Sequence, residues 1–271
     1  MSTNQLPSLD REIQLTEEDI RSFRTNGHLH LLTVLSPEEL AVYRQVINDA
    51  AYRYNTETRE MKERDTYGKA FLQIMNLWEV DEQVRSFTLA KRFGKIAAAL
   101  LGVEKVRLYH DQALYKEAGG GHTPWHQDQY YWPLDTKNTI TMWMPLIPIS
   151  VEMGMLSFAS GSHIKGAVEN IAISDESDLL LDAYVKEKNY SITRPSTMNG
   201  GDASWHYGWT LHNAPGNQSA QTREVMTIIY FADGARVTNP ANQHQENDRQ
   251  RWLMGINPGE LADSALNPLI G

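Results

Sequence analysis

The chain has 271 residues, of which 41% are hydrophobic and 22% charged, with a formal net charge of −9 and no cysteine. These values are typical of a globular protein, and the lack of cysteine excludes disulfides, thiolate metal sites and cysteine nucleophiles. Lys and Arg are scattered, so the basic cluster that nucleic-acid binding requires is missing, and no apolar run approaches the roughly 20 residues of a membrane span. The polar N-terminus does not resemble a secretory signal, and we therefore expect a cytoplasmic protein.

The first hundred residues predict helices around one strand. The expected elements are a loose tail (1–14), a helix (16–27), a strand (28–35), a helix (36–55) and a helix (81–101) that ends at Gly102. Thr16 and Asp19 have capping-box spacing, and Ser36 stands before a proline with Glu39 three residues later. Both patterns indicate where a helix begins.

From about residue 106 the chain is typical of β-structure. Short segments rich in β-branched and aromatic residues are separated by Gly, Pro, Asn and Asp; they cover 106–116, 139–149, 155–160, 190–195 and 225–233. We predict one barrel or sandwich with the helices packed outside it. The closing stretch, 239–271, is expected to be irregular and to wrap a single domain that spans 1–271.

A metal site is predicted at His126 and Asp128. On an extended chain, side chains two residues apart point to the same face, so both can reach one ion. His212 is the candidate third ligand, since two His and one carboxylate form the facial triad of non-haem iron oxygenases and leave positions open for cosubstrate and dioxygen. Zinc remains an alternative, although the helical HExxH spacing is absent. A surface His beside a solvated Asp is the simplest alternative to any metal site.

Arg223 follows His212 by eleven residues and precedes VMTIIYF, which is typical of a buried strand. An arginine entering a barrel needs an anionic partner, because an unpaired buried charge is costly. Its planar guanidinium suits a carboxylate bidentately. A dicarboxylic cosubstrate would supply that partner, whereas the alternative is a surface arginine paired with Glu224 or with an acidic loop.

Four segments together resemble the phytanoyl-CoA dioxygenase family of Fe(II)/2-oxoglutarate-dependent oxygenases. They are YHDQALYK, WHQDQYYWP, SFASGSHIKG and GDASWHYGWTLHNAPGNQSAQTR. The order of an HxD, a Gly-Ser-His-Lys-like loop, a Gly-Asp, a distal His and an Arg eleven residues later is that of the family. The resemblance covers about 70–235 well and implies an all-β core with flanking helices, a cupin-like double-stranded β-helix or jelly roll.

The resemblance also implies roles for individual residues. His126, Asp128 and His212 match the iron ligands, and Arg223 matches the residue that binds 2-oxoglutarate. The positions that match the lining of the cosubstrate pocket are Gln112, Trp143 and, with a less certain alignment, Gln73. His206 competes with His212 for the distal position, but the family pattern favours His212 and makes His206 a supporting or core residue.

The function implied is oxidation, most simply hydroxylation, of an unactivated carbon in a small organic molecule such as a specialised metabolite. The enzyme would require Fe(II) as its metal and would consume 2-oxoglutarate and O₂, releasing succinate and CO₂. Ascorbate would act as an activator in vitro. Related enzymes also desaturate, epimerise, cyclise or form endoperoxides. The alternatives are a non-catalytic cupin-like metal-binding protein and a metal-dependent isomerase or hydrolase on the same barrel.

Overall fold

The structure is a computed structural model that describes residues 6–271. Its α-helices are α1 (Glu17–Asn26), α2 (Pro37–Tyr54), α3 (Thr66–Ala70), α4 (Leu77–Val80), α5 (Glu82–Thr88), α6 (Lys91–Leu101), α7 (Asp175–Glu187) and α8 (Gln243–Trp252). Its strands are β1 (His28–Leu31), β2 (Leu72–Met75), β3 (Val106–Lys116), β4 (Thr123–His126), β5 (Thr139–Pro145), β6 (Ile149–Ser150), β7 (Ser157–Ala159), β8 (Ile192–Thr193), β9 (Thr197–Met198), β10 (Ala203–Tyr207), β11 (His212–Ala214), β12 (Arg223–Ala232) and β13 (Leu269–Ile270).

The strands form two main antiparallel sheets. The larger sheet has the order β1-β10-β5-β12-β3-β13, and β2 also pairs with β3. The smaller sheet has the order β4-β11-β7-β8, while β6 and β9 form a separate pair. Side chains from both main sheets line one cavity of about 600 Å³. The cavity therefore lies between the two sheets.

The larger sheet separates this cavity from a helical layer, because strand side chains alternate between its two faces. On β5, Thr141 and Trp143 line the cavity, while Ile140 and Met142 belong to the apolar core that the helices cover. β3 and β12 divide their side chains in the same way. One face of the sheet thus supplies the core and the other supplies the site.

The predicted helix caps are confirmed. Thr16 and Ser36 each make a complete capping box, with Asp19 and Glu39 respectively. Gly27 ends α1 with a φ of 82°, in the left-handed region that favours glycine.

The prediction of one helix over 81–101 was wrong, because the chain breaks into α5 and α6. Ala90 is extended, with φ −61° and ψ 124°. Phe87 and Phe93 are both fully buried, and their ring centroids lie 5.0 Å apart. In an unbroken helix, side chains six residues apart would point in directions about 120° apart around the helix axis. The break therefore lets both rings enter the same core.

The predicted strand over 28–35 is shorter than expected and ends at Leu31. Thr33 has a φ of 50°, which turns the chain, and its amide donates to Asp202 Oδ1 at 2.9 Å. Val34 and Leu35 are then buried beneath the helices instead of extending the sheet.

The two ends of the chain also differ from the expectation. Residues 1–5 of the predicted loose tail lie outside the described residues, but Leu9 is buried and Tyr43 Oη donates to the Pro7 carbonyl at 2.9 Å. This part of the tail is therefore packed. The C-terminal stretch is not wholly irregular, since it contains α8. Among residues 6–271, no helix is both long enough and apolar enough to cross a membrane.

Candidate active site

His126, Asp128 and His212 converge at one end of the smaller sheet. His126 is the last residue of β4, Gln127 is extended, and Asp128 begins a short 3-10 helix. β11 pairs with β4 so that His212 lies opposite His126. One ligand atom from each of the three side chains lies within 4.8 Å of the others. The extended backbone at Gln127 places the Asp128 carboxylate on the same side of the chain as the His126 imidazole, as the HxD spacing predicted.

The hydrogen bonds of the two imidazoles leave their Nε2 atoms free to bind an ion. Nδ1 of His126 lies 2.8 Å from the Pro124 carbonyl oxygen, and Nδ1 of His212 lies 2.9 Å from that of Thr210. A carbonyl can only accept, so each Nδ1 carries the proton and each Nε2 offers a lone pair. The two Nε2 atoms lie 3.4 Å and 3.5 Å from Asp128 Oδ1.

The protonation states are those of a metal-binding site. Removal from water would raise the pKa of Asp128, but the adjacent His212, His126 and His206 hold it well below its usual range. Burial, followed by the proximity of His126, lowers the pKa of His212 well below its usual value. At neutral pH the group thus includes one carboxylate, Asp128, and one neutral imidazole, His212, and such donors suit a divalent ion such as Fe(II).

His206 supports the carboxylate and is not a member of the three-residue group. Its Nε2 lies 3.1 Å from Asp128 Oδ2, and the Thr141 hydroxyl donates to the same oxygen at 2.9 Å. These contacts orient Asp128 so that Oδ1 faces the two imidazoles. Such outer hydrogen bonds commonly fix the geometry of a ligand.

Arg223 lies in the same cavity and is 1% exposed. One guanidinium nitrogen donates to the Gly154 carbonyl, while Nε has no partner among the described residues. The guanidinium carbon lies 5.2 Å from the centre of the Trp143 ring. Burial lowers the pKa of Arg223 to about 9, so the group remains charged at neutral pH. Within residues 6–271 no carboxylate forms an ion pair with it, and the surface pair with Glu224 does not form because Arg44 binds that acid instead.

The other residues expected near the cosubstrate also line this cavity. They are Gln73, Gln112 and Trp143. Gln73 Nε2 donates to Gln112 Oε1 at 3.0 Å, which links β2 to β3. Two amides and an indole therefore surround the region between Arg223 and the three-residue group.

Lys116 is a buried lysine that the sequence interpretation missed. It lies opposite Arg223 in the β3–β12 pairing and is 0% exposed. Its ammonium group donates to the Gly121 carbonyl and approaches the Thr123 hydroxyl at 3.4 Å. Burial and the nearby Arg223 lower its pKa to about 6. The final lysine of YHDQALYK was a visible signal, but a strand-end lysine is usually solvated.

The part of the cavity lining that α8 contributes was also missed, because this helix was not predicted. Four of its polar residues line the cavity: His244, Asn247, Asp248 and Arg251. Their spacing of three and four residues, after an asparagine that caps the helix, was the available signal. Two aromatic residues that follow the HxD, Tyr131 and Trp132, also line the cavity.

Arg223 and α8 lie at opposite ends of the large sheet. In the β3–β12 pairing, Lys116 lies opposite Arg223 and His110 lies opposite Ile229. Six residue steps along a strand span about 20 Å. The ring of Trp252 in α8 is 5.1 Å from His110, centroid to centroid. The cavity therefore has a cationic end and an α8 end.

Comparison with known proteins identifies the family. Residues 23–225 match the sequence profile of the phytanoyl-CoA dioxygenase (PhyH) family. The chain is 25% identical over 281 residues to phytanoyl-CoA dioxygenase domain-containing protein 1 of Danio rerio, covering 86% of this chain and 96% of the relative. It is 23% identical over 220 residues to a methylphosphonate hydroxylase of Gimesia maris, covering 80% and 81% of the two chains.

Among solved structures, the chain resembles SnoK, the non-haem alpha-ketoglutarate-dependent carbocyclase from nogalamycin biosynthesis. The TM-score is 0.79 at 24% sequence identity, and the match covers 98% of this chain and 100% of SnoK. This likeness confirms the predicted fold, a jelly-roll core with flanking helices. Because the family profile covers most of the sequence, the protein belongs to the phytanoyl-CoA dioxygenase family.

Proposed function

We propose that the protein is an Fe(II)- and 2-oxoglutarate-dependent oxygenase in which His126, Asp128 and His212 hold the iron and Arg223 binds the cosubstrate. One observation carries the proposal: a three-residue metal group lines the same cavity as a buried arginine that has no acidic partner among residues 6–271. A metal-binding protein alone has no use for such an arginine, because burying a cation without a partner opposes folding.

The protein residues bind and orient the reactants. The Arg223 guanidinium would take the distal carboxylate of 2-oxoglutarate, and the bond between Gln73 and Gln112 keeps the amide groups in place beside it. Trp143 and the apolar lining exclude water from the end of the cavity that holds Arg223. When bound, iron would supply the redox chemistry that couples decarboxylation of 2-oxoglutarate by O₂ to oxidation of a substrate carbon.

The proposed outcome is hydroxylation of an unactivated carbon in a small organic molecule, such as a specialised metabolite. A cavity of about 600 Å³ has the size of a small-molecule site. Asp128 fills a coordination position that a halide would need, which disfavours halogenation. The relatives include a hydroxylase and the similar structures include a carbocyclase, so cyclisation is the second candidate outcome.

Succinate formation tests the proposal directly. The protein is incubated with Fe(II), 2-oxoglutarate and ascorbate in air, and succinate is measured with and without candidate substrates. We expect slow succinate release that His212→Ala and Arg223→Ala abolish. Iron binding without any effect of 2-oxoglutarate would instead indicate a metal-binding protein, and substrate conversion without succinate would indicate an isomerase or a hydrolase.

A further inference from the structure

The α8 end of the cavity has a polar wall that neither the metal group nor Arg223 explains. His244, Asn247, Asp248 and Arg251 recur every three or four residues, so they occupy one face of α8. Gln245 Nε2 donates to the Tyr130 carbonyl at 3.0 Å. Since Tyr130 belongs to the 3-10 helix that begins at Asp128, α8 packs beside the metal group. A substrate held by this wall would lie close to the reactive centre.

Asp248 is the acceptor at the centre of this wall. The Tyr109 hydroxyl donates to its Oδ2 at 2.9 Å, and no Lys or Arg in residues 6–271 forms an ion pair with it. Burial raises the pKa of Asp248 to about 7, although hydrogen bonds from Tyr109 and Trp252 lower it. A carboxylate has about four acceptor positions, so two neutral donors leave acceptor capacity on the cavity side.

The charges on the wall favour a neutral ligand. Arg251 lies three residues after Asp248 on the same face and is bound by Glu79 at 2.9 Å. The ionised form of Asp248, whose partners are neutral, would repel a phosphate, phosphonate or carboxylate group. An ammonium group would lie within one helical turn of Arg251 and would lose its counter-ion whenever Asp248 is protonated, which a pKa of about 7 permits. A hydroxyl group is uncharged, and it can both donate to Asp248 and accept from Asn247 or Arg251.

The remaining lining of this end of the cavity is largely apolar. Its lining includes Met75, Trp132, Ile173, Ile229 and Trp252. His110 is buried between these groups and Gln112, and burial lowers its pKa to about 3. The imidazole is therefore neutral and adds no charge. The planar indoles of Trp132 and Trp252 suit packing against the face of a ring.

We propose that the substrate combines an apolar ring with an uncharged, hydroxylated edge, and that Asp248 on α8 is the residue that selects it. This inference rests on the proposed function, because it concerns the substrate of the same site. The ring packs between the aromatic and aliphatic side chains, while the hydroxyls face α8. Sites built to bind a hydroxyl reject analogues that lack it far more strongly than apolar pockets reject a missing methylene.

The test measures whether simple probes approach the metal. Mn(II) replaces Fe(II) in the full-length protein with 2-oxoglutarate present, and the paramagnetic relaxation of probe protons is recorded by NMR. The probes are phenyl β-D-glucopyranoside, 2-phenoxytetrahydropyran as the matched molecule without hydroxyls, phenethylammonium and phenylphosphonate. We expect enhanced relaxation of the phenyl protons of the glucoside and little for the other three.

The variants assign the effect to α8. Asp248→Ala should weaken binding of the glucoside at least about tenfold, and Asp248→Asn, which keeps the shape and one acceptor, should lose less. Gln250→Ala on the exposed side of the same helix is the matched control and should bind as wild type does. Mn(II) and 2-oxoglutarate affinities, measured in each variant, verify that the site is folded.

Each other result overturns the inference. Equal binding of 2-phenoxytetrahydropyran, a preference for either charged probe, no approach of the glucoside to bound Mn(II), or an unaffected Asp248→Ala variant would refute the proposed substrate class. If the wild type binds no Mn(II), or binds it without any response to 2-oxoglutarate, the proposed function itself fails. The two failures are therefore distinguishable.

Discussion

Replacing Arg223 by methionine should strengthen the fold and weaken cosubstrate binding. The guanidinium is 1% exposed, donates to the Gly154 carbonyl and leaves Nε without a partner in the described residues. In the absence of 2-oxoglutarate, these contacts compensate poorly for the hydration that the guanidinium loses on burial. Methionine fills similar space without burying a charge, so Arg223→Met should have the larger free energy of unfolding.

The magnitudes follow from these contacts. Replacing buried charged groups by apolar residues of similar volume is often stabilising by about 1–4 kcal/mol. The planar pair between Arg223 and a carboxylate contributes about 3 kcal/mol to binding once desolvation is offset, which is roughly a hundredfold in the dissociation constant. At a concentration 100 times the wild-type dissociation constant, 2-oxoglutarate should stabilise the wild type by about 2.7 kcal/mol and the variant by only about 0.4 kcal/mol.

The assay compares thermal or denaturant unfolding of the metal-loaded proteins with and without 2-oxoglutarate under anaerobic conditions. A titration of the iron-to-cosubstrate charge-transfer band gives the affinity independently. Arg44→Met is the matched control, because that arginine is partly exposed and pairs with Glu224 outside the cavity; its affinity for 2-oxoglutarate should not change. Arg223→Lys should recover only part of the lost affinity, since an ammonium is a point charge.

Two results would refute this reasoning. Unchanged affinity for 2-oxoglutarate in Arg223→Met would mean that another group binds the distal carboxylate. A variant that unfolds more easily than the wild type without cosubstrate would mean that Gly154 and Trp143 compensate the buried charge fully. The first result contradicts the proposed role, and the second contradicts only the energetic argument.

Three further predictions concern the site. His212→Ala should abolish binding of Mn(II) or Fe(II), measured by calorimetry, whereas His206→Ala should weaken it by about 10- to 100-fold because His206 only orients Asp128; the reverse order would contradict the assignment. Asp128→Gly should open a coordination position that admits chloride, and the variant should lose the oxygenase activity. An unchanged iron spectrum with full activity would show that Asp128 is not an iron ligand. Lys116→Met should stabilise the protein most near pH 6 and progressively less towards pH 10, because the pKa of Lys116 is about 6 when folded and higher when unfolded. Urea titrations at pH 6 and pH 10 measure the free energy of unfolding of both proteins, and an equal increase at the two pH values would contradict this prediction.

Strand β3 and the shared face of His126 and Asp128 could be predicted because their signals are local. On β3, the predicted span 106–116 agrees with the structure, since alternation along a strand directly reports its two faces. The HxD spacing worked for the same reason: Gln127 is extended, so His126 and Asp128 share a face. The break before α6 could not be predicted, because Ala90 carries no local signal and the core contact between Phe87 and Phe93 decides the conformation.

α8 shows why one end of the cavity was beyond sequence interpretation. A helix is usually recognised by an apolar stripe, but α8 has a single buried residue, Trp252, and it borders the cavity with His244, Asn247, Asp248 and Arg251. Three of these four side chains are exposed and Asp248 is half-buried, so they look like solvent-facing sequence, and only the position of the cavity shows that they border it. Residues that recognise a polar ligand lack the apolar pattern that marks a core. The residues proposed to bind iron and cosubstrate were assigned by resemblance, whereas the proposed substrate wall becomes visible only when α8 is seen against Tyr109 and the turn that carries Asp128.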